Sequence, residues 1–402
     1  MKNLAKLRSL NQKPPKADLN FTIDEDDHLT EEPKVDELVV KKSHLQKIKN
    51  IKLTKWHYII TAVVVAVIAV VLVLVLTSKS TVSPPPKKIV KKVVPVVKPI
   101  VYYSPLSGLP VTKAQTQLPV TGIMIENSDE ARPQSGLSQA GVVFEALAEG
   151  GITRFLALYQ EGNPTSIGPI RSARPYFIDW ALGFDADYVH VGGSPDALSQ
   201  IQSDNVKDIN EFYYGDSFTR ITTREAPHNV YTSMSTLQTL EQTLGYTSST
   251  FTPFPRKIDN PAKVPTATNI NFTLSNSDFA VNYVYDKTNN SYLRSEGGAA
   301  MVDANKNLQL EPKVVIAMVV PWTDGALDSS EAYYTVYSDI GSNDAYIFQD
   351  GTVVKGTWTK TTPTSQITFT SSTGQVIDLN RGQTWITVVN EDSAVSYSPP
   401  AS

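Results

Sequence analysis

Cysteine is absent from the 402 residues of this chain. Its absence excludes disulfide bonds, thiolate zinc ligands, a cysteine nucleophile and a lipid attached to an N-terminal cysteine. Glycine-rich phosphate-binding motifs of the Walker and dinucleotide types are also missing, and the histidines lack metal-ligand spacing. We therefore expect neither a metal nor a cofactor.

Basic residues are scarce in the larger, C-terminal part of the chain. Residues 102–402 contain 18 lysines and arginines against 31 aspartates and glutamates, a net charge of −13. Residues 1–101 contain 18 against 9, a net charge of +9. Because nucleic acids are bound largely through basic groups that neutralise phosphates, the acidic part argues against a nucleic-acid partner.

One long apolar run lies within the basic part. Tyr58–Leu76 holds 19 nearly unbroken apolar residues; as a helix they would extend about 28 Å, close to the hydrocarbon thickness of a bilayer. We predict a single transmembrane helix that anchors the protein in the cell membrane. Six lysines at 41–55 precede it and four at 79–91 follow it, which favours a cytoplasmic N-terminus and extracytoplasmic C-terminal domains.

The segments on either side of this run have no pattern typical of a packed core. Residues 1–57 combine a basic start, an acidic patch and a lysine run, so we predict a disordered cytoplasmic tail. Residues 79–101 contain five prolines among lysines and valines. Proline and like charge both stiffen a chain, so we predict an extended stalk that reaches roughly 70 Å.

Two globular regions follow, separated by a proline-rich linker at 251–270. Residues 102–250 mix apolar runs with helical segments, which predicts an α/β or α+β domain. Residues 271–402 alternate in strand fashion between turn signals, which predicts a mainly antiparallel β domain. The expected strands are 120–126, 142–148, 152–159, 188–191, 281–285, 313–320, 332–337, 352–358, 367–370 and 384–389, and the expected helices are 175–183, 195–203 and 233–244.

A short stretch of the first region concentrates chemically active side chains. His190 ends an apparent strand, Gly192 and Gly193 turn the chain, and Ser194 precedes a proline suited to the first position of a helix. A glycine turn leading into a helix N-terminus presents free N–H groups to an anion. The alternative is a turn that only connects a strand to a helix.

Arginine is favoured over lysine in this region. Between Val120 and Val230 there are six arginines and one lysine. Guanidinium groups bind carboxylates and phosphates bidentately. The expected ligand-binding residues are Arg132, Arg154, Arg171, Ser172, Arg174, His190, Gly192, Gly193, Ser194, His228 and Asn229. The alternative is internal pairing of the arginines with Glu126, Glu145, Glu149 and Asp179.

Four residues are candidates for catalysis. Glu145 and Glu149 are predicted on one face of their element, where they could act as acid and base, or else pair with Arg154. His190 and His228 could join a serine in a nucleophilic site, although no G-x-S-x-G turn is present. Three tryptophans of the second region are expected in a core or on a carbohydrate-stacking face: Trp322, Trp358 and Trp385.

Several motifs resemble the YerB-like family of bacterial surface proteins, named as a domain of unknown function. They are Ala131–Gly136, Glu145–Arg154, Gly168–Tyr176, His190–Ser194 and Ala226–Asn229 in the first region, and Tyr283–Asp286, Tyr292–Arg294, Trp358 and Gly382–Ile386 in the second. The resemblance implies a bacterial extracytoplasmic protein with an N-terminal α/β and a C-terminal β domain, and no established activity. Related proteins are often lipoproteins, whereas this chain lacks the cysteine.

Three functions remain open at this stage. The preferred hypothesis is an envelope protein that binds an anionic cell-wall component through an arginine and histidine cleft. A second is an envelope hydrolase or transferase acting on a glycan or a lipid-linked phosphate. A third is a regulator that binds another envelope protein through the β domain. The spatial arrangement of the arginines distinguishes a ligand pocket from internal ion pairs.

Overall fold

A computed structural model describes residues 55–78, 100–327 and 333–400. The chain forms two compact units, Met1–Val94 and Pro95–Ser402. The first contains helix α1, Lys55–Thr77, which is long and apolar enough to cross a membrane and has a mean hydropathy of 3.5 over its most apolar window. Almost all of the predicted tail and stalk lie outside the described residues.

The second unit is built mainly of strands, with three short helices among its described residues. Its first half contains β1 (Tyr102–Tyr103), β2 (Pro110–Val111), β3 (Thr121–Glu126), β4 (Val142–Glu149), β5 (Ile152–Tyr159), α2 (Pro175–Leu182), β6 (Asp187–His190), α3 (Pro195–Ser203), β7 (Asp208–Asn210), β8 (Thr219–Arg220), β9 (Val230–Tyr231) and α4 (Met234–Leu244). The predicted strands and helices of this half therefore start and end within one or two residues of the observed ones.

In the second half, the described residues form strands and short 3₁₀ turns. The strands are β10 (Arg256–Lys257), β11 (Asn269–Thr273), β12 (Ala280–Asp286), β13 (Ser291–Glu296), β14 (Ala299–Ala300), β15 (Val302–Asp303), β16 (Leu308–Gln309), β17 (Val314–Val319), β18 (Trp322–Leu327), β19 (Tyr333–Tyr337), β20 (Gly341–Gln349), β21 (Thr352–Lys360), β22 (Thr368–Ser371), β23 (Leu379–Asn380), β24 (Thr384–Val389) and β25 (Val395–Ser398).

One large sheet runs through both halves. Its strand order is β22-β21-β20-β17-β24-β4-β5-β3-β6-β7. Strand β24 lies between β17 and β4 and is parallel to both. The predicted regions 102–250 and 271–402 therefore share a sheet, and the second region combines antiparallel pairing with these two parallel pairs. A separate antiparallel sheet of five strands has the order β14-β13-β12-β11-β25.

The large sheet carries a core on each face. On one face, Phe144 stacks on Trp180 of α2, with ring centroids 5.2 Å apart. On the other face, Phe155 packs edge-on against Trp385 beneath the five-stranded sheet and α4. Trp358 and Trp385 are fully buried, as expected for core residues rather than for a carbohydrate-stacking face.

Parallel pairing aligns several strand ends at one edge of this sheet. Strand β6 is parallel to both β3 and β7, so the carboxyl ends of these three strands, Glu126, His190 and Asn210, lie at the same edge. Strand β5 runs antiparallel to β3 and places Arg154 opposite Glu126. In open sheets with parallel strands, the loops beyond the carboxyl ends are the usual place for ligand sites.

Candidate functional site

Two arginines share one carboxylate at this edge. Arg154 Nη2 lies 2.5 Å from Glu149 Oε1, and Arg174 Nη2 lies 2.7 Å from Glu149 Oε2. Arg154 also donates to the backbone carbonyl of Ser172 at 2.9 Å, and Arg174 to that of Ala173 at 2.7 Å. Both arginines are buried, so much of their hydrogen-bonding capacity is used within the protein.

Arg171 has hydrogen-bonding capacity that the described residues do not use. Its Nε lies 3.1 Å from Oε1 of Glu126, in a geometry that is not a hydrogen bond. None of its nitrogens donates a hydrogen bond to any of the residues that the structure describes, and its side chain is 24% exposed. A half-buried guanidinium without satisfied donors is suited to binding an anion from outside.

His228 completes the group around the same carboxylate. Its Nδ1 lies 2.9 Å from Glu126 Oε1, and its side chain is 21% exposed. Ser128 donates to that oxygen at 3.2 Å. The other oxygen, Glu126 Oε2, is buried without a hydrogen-bond partner in the described part of the chain. Glu126 is therefore the carboxylate that Arg171 and His228 share. We call Arg154, Arg171, Arg174, Glu126, Glu149 and His228 the arginine cluster.

The arginine cluster contains more positive than negative charge. Three guanidiniums face two carboxylates, an excess of one positive charge even with His228 neutral. Burial lowers the pKa of both Arg171 and Arg174, and the neighbouring Arg154 charge lowers them further. Burial acts to raise the pKa of Glu149, but Arg154 and Arg174 outweigh it and lower that pKa. A bound anion would relieve this crowding of like charges.

The glycine turn, Gly192 and Gly193, supports residues 171–174, which we call the arginine loop, rather than forming a separate anion site. Val191 N donates to Arg171 O at 3.1 Å, and Ala173 N donates to Gly192 O at 2.9 Å. Gly193 forms a parallel bridge with Ala173, and Gly192 has a φ of +59°. Glycine adopts that φ at no steric cost, and the backbone hydrogen bonds fix the arginine loop to the end of β6.

The predicted helix cap is confirmed. Ser194 is the N-cap of α3 and accepts a hydrogen bond from Ala197 N at 3.3 Å, with proline at the first helical position. Ser194 N itself donates to Ala173 O at 3.3 Å. Because the serine is occupied by these contacts, it positions the loop and the helix.

His190 lies beneath the site and does not line it. Its side chain is fully buried, with Nε2 2.7 Å from Asp208 Oδ1 and Nδ1 2.6 Å from Gly192 O. Both ring nitrogens are therefore engaged within the protein. His190 and His228 are not brought together in the way that a shared nucleophilic site requires.

Arg132 lies apart from the arginine cluster. Its Nε and Nη2 donate to Asn127 Oδ1 and Asn127 O at 3.2 and 3.1 Å. Its Nη1 donates to Asp278 O and meets Asp129 Oδ1, both at 3.0 Å, and its Nη2 also reaches Glu296 Oε1 at 3.2 Å. Four hydrogen bonds and the ion pair with Asp129 engage all three nitrogens of this guanidinium within the protein.

The expectation that Glu145 and Glu149 share a face is wrong. The register of β4 against β5 shifts between Leu147 and Glu149, a bulge that reverses the alternation of side chains. Glu149 joins the arginine cluster. Glu145 instead points to the opposite face, where it accepts hydrogen bonds from Trp385 Nε1 at 3.3 Å and Thr387 Oγ1 at 3.0 Å. The two carboxylates do not form an acid and base pair.

Glu145 belongs to a fully buried ion network that the sequence did not indicate. Arg294 Nη2 lies 2.8 Å from Glu145 Oε1 and 3.1 Å from Glu296 Oε2. The guanidinium also donates to Tyr283 OH at 2.7 Å and lies 4.5 Å from the Trp385 ring centroid. Burial and the Glu145 charge raise the pKa of Glu296 to about 7. This buried network joins Glu145 of the first half to Arg294 and Glu296 of the second.

Three other candidate residues are not members of the arginine cluster: Asn229, Ser172 and Trp322. Asn229 Oδ1 accepts from Arg220 Nη1 at 3.3 Å, near His228. Ser172 contributes its carbonyl, as described above, and its side chain is half-buried. Trp322 lies in a distinct cavity of about 340 Å³ with Asp324. No group of three or more histidine and acidic side chains that could hold a metal occurs among residues 55–78, 100–327 and 333–400.

Family comparisons agree with the motifs. The model described as "Protein of unknown function (DUF3048) N-terminal domain" matches residues 106–247, and the model described as "Protein of unknown function (DUF3048) C-terminal domain" matches residues 269–386. The chain is 31% identical over 299 residues to "Putative lipoprotein YerB" of Bacillus subtilis (strain 168), covering 73% of this chain and 88% of that protein.

A solved structure has the same fold. The crystal structure of the YerB protein from Bacillus subtilis matches with a TM-score of 0.67 and 30% sequence identity, and the match covers 74% of this chain and 99% of that one. The resemblance inferred from the motifs is thereby confirmed.

Proposed function

Because this chain belongs to the DUF3048 family of YerB-like bacterial proteins, we propose that it is a membrane-anchored envelope protein that binds an anionic cell-envelope component through Arg171 and the arginine cluster. The family has no established activity. The relative described as a lipoprotein supports an outer-surface location at a membrane. This chain has no cysteine to carry a lipid, and α1 is the segment suited to replace that anchor.

The anchor and its direction are tested by protease added to the outside of bacterial protoplasts. We expect the protease to digest the unit Pro95–Ser402 and to leave a membrane fragment that contains α1. Protection of that unit until the membrane is dissolved would contradict an extracytoplasmic location.

A single observation carries the binding proposal. Arg171 is 24% exposed and forms an ion pair with Glu126, but its side chain donates no hydrogen bond to the described residues; it lies beside two buried guanidiniums that add to the positive potential. Arginine binds phosphate and carboxylate groups through paired N–H donors. The rest of the unit is acidic and repels a polyanion. The local excess of positive charge at the arginine cluster is therefore the place where a polyanion can bind.

Binding is tested with the full-length protein in detergent and purified poly(glycerol phosphate), an anionic polymer of known composition. A hydrogen bond to a charged group contributes about 1.5–3 kcal/mol, so we expect Arg171→Ala to weaken binding by roughly 10- to 100-fold. Arg381→Ala removes an arginine that stacks on Tyr103 at 3.9 Å and is the matched control. Equal affinities of Arg171→Ala and the wild type would refute the proposal.

The geometry favours binding over the hydrolase or transferase alternative. Glu145 and Glu149 lie on opposite faces, and His190 is buried with both nitrogens engaged. An acid and a base that act on one bond must both reach it, and Glu145 and Glu149 are not placed to do so. Consumption of a glycan or lipid-linked phosphate by the purified protein would reopen the enzymatic alternative.

A further inference from the structure

Two neighbouring aromatic side chains project from the loop after β7. Phe212 is 69% exposed and Tyr213 is 70% exposed, more than any other aromatic side chain in the described part of Pro95–Ser402. Large apolar side chains exposed side by side at a surface often mark an interaction site. The position of the pair relative to Arg171 indicates what such a site would bind.

The loop that carries Phe212 and Tyr213 lies directly beside the arginine loop. A Cβ atom added to Gly192 would lie 2.8 Å from Cε2 of Phe212, so the phenyl ring rests on the glycine turn. Asn210 Oδ1 accepts hydrogen bonds from Gly192 N at 3.1 Å and from Phe212 N at 3.2 Å. Val191, next to Gly192, bonds to the backbone of Arg171 at 3.1 Å. The Phe212 ring thus packs against the turn whose neighbour Val191 bonds to the backbone of Arg171.

Arg220 connects the loop of Phe212 and Tyr213 to the segment that contains His228. Glu211, which precedes Phe212, pairs with Arg220 Nη2 at 3.0 Å. Arg220 in turn donates to Asn229 at 3.3 Å, and Asn229 follows His228 in the chain. Arg220 is 46% exposed. We call the surface formed by Arg171, Phe212, Tyr213, Arg220 and His228 the aromatic–arginine face.

We infer that the aromatic–arginine face binds a phosphodiester-linked glycan, with a sugar ring against Phe212 or Tyr213 and the phosphate on Arg171. This inference rests on the proposed function and adds the sugar to it. An aromatic ring offers an apolar platform for the C–H face of a sugar, whereas a guanidinium matches the phosphate oxygens. A polymer that alternates the two groups would contact both parts of the face at once.

The charges around the face favour a glycan over a lipid surface. Glu211 precedes the pair of rings in the chain, and Asp216 and Glu225 are exposed acidic residues of the same part of the sequence. Peripheral attachment to an anionic bilayer usually needs a broad basic surface around the apolar anchor. A flexible polymer can reach one local positive site on a unit that is otherwise acidic.

The test compares two polymers of equal phosphate content, poly(glucosyl phosphate) and poly(glycerol phosphate), with full-length protein in detergent. We expect the sugar-containing polymer to bind more tightly. The double variant Phe212→Ala/Tyr213→Ala should weaken its binding by roughly 5- to 30-fold and leave poly(glycerol phosphate) binding unchanged, which also shows that the variant is folded. Arg171→Ala should weaken binding of both polymers. Tyr397→Ala, which removes another exposed tyrosine, is the control.

The outcomes separate the two proposals. If the double variant binds both polymers like the wild type while Arg171→Ala weakens both, the glycan inference is wrong and the anion proposal stands. If Arg171→Ala changes neither affinity, the anion proposal itself fails. If the double variant loses binding to vesicles of phosphatidylglycerol and keeps its affinity for the sugar polymer, the face binds a lipid surface and the inference is overturned.

Discussion

Replacing Arg294 by methionine should strongly destabilise the globular unit. The fully buried guanidinium neutralises Glu145 at 2.8 Å and Glu296 at 3.1 Å, and methionine fills part of its volume without charge. Glu145 would keep only the Trp385 and Thr387 donors. Removing one partner of a buried ion pair costs about 3–5 kcal/mol, because the other charge stays buried and uncompensated.

The assay is urea unfolding of the full-length protein in detergent at pH 7.5, followed by tryptophan fluorescence. Trp385 lies 4.5 Å from the Arg294 guanidinium, so it reports on the same part of the core. We expect the midpoint to fall with little change in slope. The double variant Arg294→Met/Glu145→Gln should recover part of the loss, because it removes one of the stranded charges.

Two results would refute this reasoning. A loss of less than about 1 kcal/mol for Arg294→Met would mean that the carboxylates are not stranded by its removal. Equal losses in the single and the double variant would mean that the cost comes from packing and not from charge. Met301, whose sulfur accepts from Arg294 Nε at 2.9 Å, provides a control: Met301→Leu changes packing and keeps the ion network.

The remaining predictions concern buried carboxyls. Burial, reinforced by Glu241, raises the pKa of Asp187 to about 8, and burial raises that of Glu241 to about 7. The folded state therefore keeps protons that the unfolded chain releases above about pH 4, so the free energy of unfolding should fall as the pH rises from about 4 to 8. Asp187→Asn should flatten this profile and stabilise the protein at pH 8; a wild-type stability that rises over this range would contradict the assignment. Glu296→Gln should likewise increase the urea midpoint at pH 8 more than at pH 5, and equal changes at both would contradict a raised pKa.

Local features of this fold were predictable from the sequence. The strands β4 and β5 and the helix α3 are marked by continuous apolar runs and by a serine and proline cap. The ion pair between Arg154 and Glu149 is one of the alternatives that the sequence left open.

Other features depend on contacts that no local pattern records. The bulge that separates Glu145 from Glu149 has no signature in the alternation of β4. Arg294 meets Glu145 across 149 residues of sequence, so its role follows only from the fold. The sequence did not single out Phe212 and Tyr213, because it does not distinguish a ring in the core from an exposed one. Their exposure depends on the loop after β7, where Asn210 accepts a hydrogen bond from Phe212 N.

The position of β24 has a consequence for how this protein folds. Strand β4 pairs with Thr384–Thr387, about 240 residues later in the chain, so one edge of β4 stays open until nearly the whole polypeptide has emerged. Pairing over such separations slows folding and leaves an unpaired edge exposed to aggregation. If the chain crosses a membrane from its N-terminal side, β4 reaches the outside before β24 is available to pair with it. A folding helper at the cell surface would protect the half-finished sheet during that interval.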